Sequence, residues 1–200
     1  MKPAWSIPLY ATTLIGVVCC SCIIYDAGVA PKDQQFIVNS HNTLRTLVAQ
    51  GKLTGQPKAV NMKRLKWDDK LAAAGQKIAA TCNYKHQRVR DPRWRTVGQN
   101  IGKTTSSALL PLPNWDKFIQ SWFNEYKMYN FTNIPVKGTG HYTQIVWATT
   151  EYIGCGYTNY RHNATSNYIQ FYVCNYGPGG NVPGMAPYKV GISSQCDNLC

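Results

Sequence analysis

Apolar residues recur at helical spacing in three stretches of the chain and concentrate at strand-like density in two others. From Lys32 to about Gln50 the positions Phe36, Ile37, Leu44, Leu47 and Val48 follow the helical period, and Gly51 supplies a stop. A second helix is predicted from Asp68 to Cys82. Leu71, Ala74, Ile78 and Ala79 share one face there, and Asp68 and Asp69 suit the positive N-terminal end. The link between the two carries Gly51, Gly55 and Pro57 and reads as a surface loop. Residues 83–97 are polar, basic and broken by Pro92, so they are expected to be irregular. Residues 98–113 read as Ser-Thr and Pro-rich linkers around a short apolar piece. Trp115, Phe118, Ile119 and Trp122 then predict a third helix from Asn114 to about Tyr126.

Beyond Gly140 the pattern turns strand-like, with Tyr152 to Tyr160 and Tyr168 to Tyr176 rich in Tyr, Ile, Phe and Val and joined by a loop from Arg161 to Asn167. The two runs align as an antiparallel pair that sets Cys155 opposite Cys174, a plausible distance for a bridge. Helices that precede locally paired strands make the class α+β, with helices on both sides of a small antiparallel sheet. No internal repeat is evident. A 44% hydrophobic content and 13 Tyr argue against disorder and for an aromatic-rich core in one domain of this 200-residue chain. Trp115, Trp122 and Trp147 read as core.

The N-terminus changes the picture of where the protein resides. Lys2 is followed by an apolar stretch from about Ile7 to Ile24, interrupted by Pro8 and Thr12-Thr13, which reads as a secretory leader and not as a membrane span. Cleavage after Ser21 would leave Cys22, Cys82, Cys155, Cys174, Cys196 and Cys200, an even set. Cleavage after Ala30 would leave one thiol unpaired in an oxidising compartment. Two sequons, Asn130-Phe131-Thr132 and Asn163-Ala164-Thr165, fit an extracellular protein. The net charge of +12 gathers at Lys58, Lys63, Arg64 and Lys66 and again at Arg88, Arg90, Arg93 and Arg95. Such surfaces suit sulfated glycans, anionic membranes or acidic host proteins sooner than nucleic acid; the plain alternative is a solubilising surface.

GHYTQIVW at 140–147 and FYVCNYGPGGNV at 171–182 resemble the two signature motifs of the CAP superfamily, named for cysteine-rich secretory proteins, antigen 5 and pathogenesis-related 1. HNTLR at 41–45 and VGQNI at 97–101 resemble two more, in the expected order, and the likeness covers residues 33–190. NMKRLKWDDKLA at 61–72, Cys82 followed by Tyr84 and His86, and a glutamine in VGQNI are similar to arthropod antigen 5 proteins. The resemblance implies an α-β-α sandwich stabilised by disulfides. With the leader read above at 1–21, it divides the remainder into an N-terminal extension at 22–32, the CAP domain at 33–190 and a shortened hinge-like tail at 191–200. It also implies pairing of Cys22 with Cys82 and of Cys155 with Cys174, leaving Cys196 for Cys200. The alternative joins Cys82 to one of the terminal pair.

The resemblance further places His86, Gln99, Glu125 and His141 around one cavity, as a tetrad that holds a divalent cation in relatives. Two imidazoles, a carboxylate and a water suit zinc, although Gln99 brings no charge and weakens the site. The alternative is a hydrogen-bonded polar knot. His41, Arg45, Asn42, Asn100 and Asn175 read as position-fixing groups. The implied function is a secreted, non-enzymatic salivary or venom protein that sequesters a small lipid or host mediator and requires no cofactor. One alternative is a metal-dependent hydrolase with Glu125 as base, for which Ser121 has no evident histidine partner. The other is a protein or glycan ligand acting through the basic surface. Stable membrane insertion and nucleic-acid binding are not expected.

Overall fold

The computed structural model describes residues 22–131, 137–192 and 199. The leader, the Cys196 and Cys200 pairing and Thr132 of the first sequon lie outside the described residues. Helix α1 runs Pro31–Ala49, with Pro31 in its first turn, and helix α2 runs Asp69–Ala79 behind Asp68, whose carboxylate accepts the Leu71 amide at 2.9 Å. Cys82 therefore lies past the end of α2, with a positive φ of 55°, and not within the helix as its apolar pattern suggests. Helix α3 covers Trp115–Phe123, capped by Asn114, and continues as a 3-10 turn through Asn124–Lys127.

The strands β4 (Tyr152–Arg161) and β5 (Tyr168–Gly177) pair antiparallel with Cys155 opposite Cys174, the alignment expected from the sequence. Their side chains alternate between two cores. Ile153, Cys155, Tyr157, Tyr172, Cys174 and Tyr176 face the larger one, built with α1 and α3. Tyr160, Phe171 and Val173 face a smaller one under Ile78 and Ala79 of α2. One sheet thus lies between helical layers. Helix α2 approaches that sheet over glycines: a Cβ on Gly154 would stand 2.2 Å from the Ala72 nitrogen, and one on Gly156 2.2 Å from the Gln76 nitrogen.

Five features depart from the sequence expectation. Gly98–Ser106, read as linker, is the nine-residue strand β3, paired along its length with β5. Lys66–Trp67 forms β2, parallel to the start of β4, and Ile23–Ala27 forms β1, antiparallel to its end, so the order is β1-β4-β5-β3 with β2 beside β4. Gly140–Ile145, read as the start of strand-like sequence, is the short helix α4. The link after α1 is a surface loop only in part: residues 51–52 and 54–55 are exposed, but Leu53, Ala59, Met62 and Leu65 are buried in the larger core.

Among the described residues two disulfides are present, Cys22–Cys82 and Cys155–Cys174. The first closes a separation of 60 residues. On the chain-entropy view, that restriction of the unfolded state contributes about 4 kcal/mol. Among the described residues no helix is long and apolar enough to cross a membrane.

Candidate functional site

The buried polar face of α1 anchors the site. Asn42 bonds Leu65 in both directions, donating to its carbonyl at 3.0 Å and accepting its amide at 2.8 Å. Arg45 is fully buried without a carboxylate. Its guanidinium donates to the carbonyl oxygens of Ile145 (2.8 Å), Trp147 (2.8 Å), Ala148 (3.3 Å) and Thr150 (3.2 Å), and to that of Lys63. These carbonyls belong to the end of α4, the turn before β4 and the segment before β2, so one cation ties three parts of the chain together.

His41 has no access to solvent. Its Nδ1–H donates to the Ile37 carbonyl at 2.8 Å, and its Nε2 accepts from the Tyr176 hydroxyl at 3.0 Å. Asn100 donates to that hydroxyl at 3.3 Å and to the His141 carbonyl at 3.1 Å, which links this network to α4. Burial pushes the His41 pKa down to about 4, the Ile37 bond opposes this, and the Arg45 charge lowers it further. The sign follows from linkage. Above about pH 6.5 the group contributes equally to both states; as pH falls toward 4 the unfolded chain binds a proton that the native ring refuses, so stability is lost. The expected loss over that window is about 3 kcal/mol. The direct check is an NMR titration of the His41 ring: it should stay neutral at pH 5.5, and titration near 6.5 would contradict the assignment.

The four residues of the expected tetrad form two pairs. His141 Nδ1–H donates to Glu125 Oε1 at 2.7 Å, while Glu125 Oε2 accepts the amides of His141 (3.0 Å) and Tyr142 (3.2 Å), so one carboxylate fixes both the ring and the first turn of α4. The His141 ring also stacks on Trp122, with centroids 5.8 Å apart. Separately, His86 Nδ1–H donates to Gln99 Oε1 at 3.1 Å, and that oxygen also accepts the Gln87 amide at 3.1 Å. The Gln99 amide donates to Asn175 Oδ1 at 2.9 Å, and Asn175 donates to the Leu71 carbonyl at 3.0 Å. Among the described residues no three of His, Cys, Asp or Glu are grouped so as to hold a metal ion. Each imidazole is held through Nδ1, and neither Nε2 has a partner among the described residues. Glu125 and Gln99 therefore orient the rings, and two imidazole nitrogens are the donor atoms left over. Ser121 is exposed on α3.

Beside α4 lies an apolar cavity of about 230 Å³. Tyr129, Trp147, Val182, Pro183 and Met185 form much of its wall, and Thr143 meets Asn181 at its edge through a 2.7 Å hydrogen bond. Gln144 holds the 178–181 loop against the helix by accepting the Gly180 amide at 2.9 Å. The loop wall shows no periodicity for sequence reasoning to find. The one signal is that Asn181 and Val182 close the second signature. Of the sequons, Asn130 and Asn163 are exposed, and Asn163 Oδ1 accepts the Thr165 hydroxyl at 2.9 Å in the β4–β5 turn.

Helical layers about this sheet, with a carboxylate and a histidine joined at the start of α4, define a CAP-type fold. The sequence model of the cysteine-rich secretory protein family matches residues 38–176, and the chain belongs to that family. Among relatives, it is 40% identical over 173 residues to venom allergen 5 of Vespula vidua, covering 82% of each chain. It is 37% identical over 187 residues to salivary antigen-5 of Dipetalogaster maximus, covering 84% of this chain and 74% of that protein. With venom allergen 5 of Tityus serrulatus the identity is 42% over 180 residues, 84% of this chain but only 42% of the relative, so the chain spans less than half of that protein's length. Of solved structures, BmVAL-1 matches at 27% identity with a TM-score of 0.71, covering 86% of this chain and 89% of its own. NaASP2, solved with Zn2+, matches at 27% identity and a TM-score of 0.67, covering 84% and 90%.

Proposed function

We propose that this protein is secreted, as an antigen 5-like component of venom or saliva, and that it binds and sequesters a small lipid or host mediator without turning it over. The cavity beside α4 carries this reading. Its walls are mostly apolar, with a polar pair at one edge, which is the pattern of a site that takes an apolar body and orients one polar end. At about 230 Å³ it suits a ring or a chain end, with the remainder of the ligand lying over exposed Val182 and Met185. Two disulfides and the exposed sequon at Asn163 support an extracellular protein that carries a glycan there.

The occupancy of Glu125 speaks against the hydrolase alternative, since both oxygens already accept hydrogen bonds from His141 and Tyr142 and a general base needs a free one aimed at water. A cation remains compatible with the two unpartnered Nε2 atoms, held weakly with water completing its shell.

Native mass spectrometry of the secreted protein, before and after chelation, tests the proposal together with titration of a fluorescent fatty acid. The expected result is saturable uptake that survives chelation and falls about tenfold in Val182→Asp/Met185→Asp, whose substitutions sit at the exposed rim and bring charge to an apolar contact. Absence of saturable uptake, or uptake unchanged in the double variant, would overturn the reading.

A further inference from the structure

We propose that the loop between α2 and β3 is a binding site for a sulfated polysaccharide chain, gripped by Arg88, Arg90 and Arg95. The argument begins with what those residues do not do. Their side chains belong to exposed residues, and none has a hydrogen-bond or ion-pair partner among the described residues. The fourth arginine of the run behaves differently. Arg93 is committed to two carboxylates, donating to Asp68 at 2.6 and 3.0 Å and to Asp91 at 2.7 and 2.9 Å. It therefore occupies both acids beside the loop, and neither carboxylate pairs with the other three arginines.

The segment is also built to hold a shape. Val89, between Arg88 and Arg90, packs on the smaller core. Trp94 lies against Gly177, where a Cβ would come within 2.4 Å of the indole, and against the Tyr152 ring at 5.6 Å. Arg93 stacks over the Trp94 indole at 4.1 Å while clamping the loop to the N-cap of α2. The backbone that carries the free guanidinium groups is thus fixed from both sides, and little ordering entropy is left to lose on binding.

The shape selects the partner. Arg88, Arg90, Trp94 and Arg95 line a concavity of about 580 Å³, together with Asp91, whose carboxylate is occupied by Arg93. A trough receives a linear chain better than a flat bilayer does. Guanidinium forks match tetrahedral oxyanions through paired hydrogen bonds. In the other basic cluster Lys63 is paired with Glu151 at 2.7 Å, and Lys58 and Lys66 offer point charges in place of forks. The proposal takes only the extracellular setting from the reading above and is independent of the lipid.

The test is binding of the secreted protein to immobilised heparin fragments at physiological salt. Arg88→Ser/Arg90→Ser/Arg95→Ser is expected to weaken binding about thirtyfold or more. Lys32→Ser/Lys77→Ser/Lys117→Ser removes the same charge from exposed positions elsewhere and is expected to change it less than about threefold. Desulfated chains should not bind. Equal loss in the two triple variants would overturn the site in favour of diffuse attraction, retention on desulfated chains would overturn the role of sulfate, and displacement by anionic vesicles at matched charge would assign the loop to membranes. If the arginine triple is not secreted, Arg90→Ser and Arg95→Ser carry the same test singly, each expected to bind about fivefold more weakly. Fatty-acid uptake should be unchanged in every variant, so failure of one reading leaves the other standing.

Discussion

Arg45→Met is expected to lower the stability of the fold by about 4 kcal/mol or more. Methionine fills much of the same volume, so the effect isolates the lost hydrogen bonds. Removing the guanidinium withdraws a donor from five carbonyls at once; those of Trp147 and Ala148 keep the amides of Thr150 (3.1 Å) and Lys63 (3.0 Å), while those of Lys63, Ile145 and Thr150 depend on Arg45, in a place no water reaches without opening the core. A buried acceptor left without a donor costs about 1–3 kcal/mol. Arg45→Lys keeps the charge but has one nitrogen to serve carbonyls that the fork reaches with three, and it should also lose at least about 2 kcal/mol. Urea midpoints at pH 7 provide the measurement. A loss below about 1 kcal/mol for Arg45→Met would mean that these carbonyls find other partners.

Gly156→Ala is the second large effect, and its cause is steric. The added methyl would stand 2.2 Å from the Gln76 nitrogen and 2.4 Å from the Gly75 carbonyl carbon, both backbone atoms of α2. No side chain can rotate away, so the helix must lift. That movement strains the two bonds by which the Gln76 side chain accepts the Tyr157 amide and donates to the Tyr157 carbonyl, each 3.0 Å. Overpacking and the weakened bonds together should cost about 3 kcal/mol. Gly140→Ala is the contrast: its nearest neighbour would be the Asn181 amide at 3.7 Å, and it should change stability by less than about 1 kcal/mol. If thermal melts show equal loss in both, helix contact is not the cause.

The parts of the fold that could be read from sequence are those in which packing imposes a period. Helices α1 and α3 show it through Ile37, Leu44 and Val48 and through Trp115, Phe118 and Trp122, and β4 and β5 through their dense apolar residues. Strand β3 hid because its side toward α3 is made of small residues. A Cβ on Gly102 would meet Phe118 at 2.3 Å, so the position that would normally advertise burial is a glycine. Helix α4 is six residues long, too short for a period to develop. Strand β1 follows an apolar N-terminal stretch directly in sequence, and its exposed Ile23, Ile24 and Tyr25 look like a continuation of it.

The site divides in the same way. His141 and Gln99 stand in motifs, and His86 and Glu125 are named by the resemblance alone, whereas the pairing is hidden, since Glu125 precedes His141 by 16 residues and only the fold brings them together. His41, Asn42 and Arg45 were recognised as positioning groups, but the number of carbonyls around Arg45 depends on where three loops end.

The two disulfides also decide what happens when the chain is cut. Its prominent exposed turns include residues 51–52 and 54–55 after α1 and 162–165 between β4 and β5. The first lies between Cys22 and Cys82, the second between Cys155 and Cys174. A protease that nicks either turn leaves two polypeptides that remain one covalent molecule, with the sheet and its helical layers still joined. In a fluid rich in proteases, scission at these turns leaves the protein in one piece until a reductant arrives.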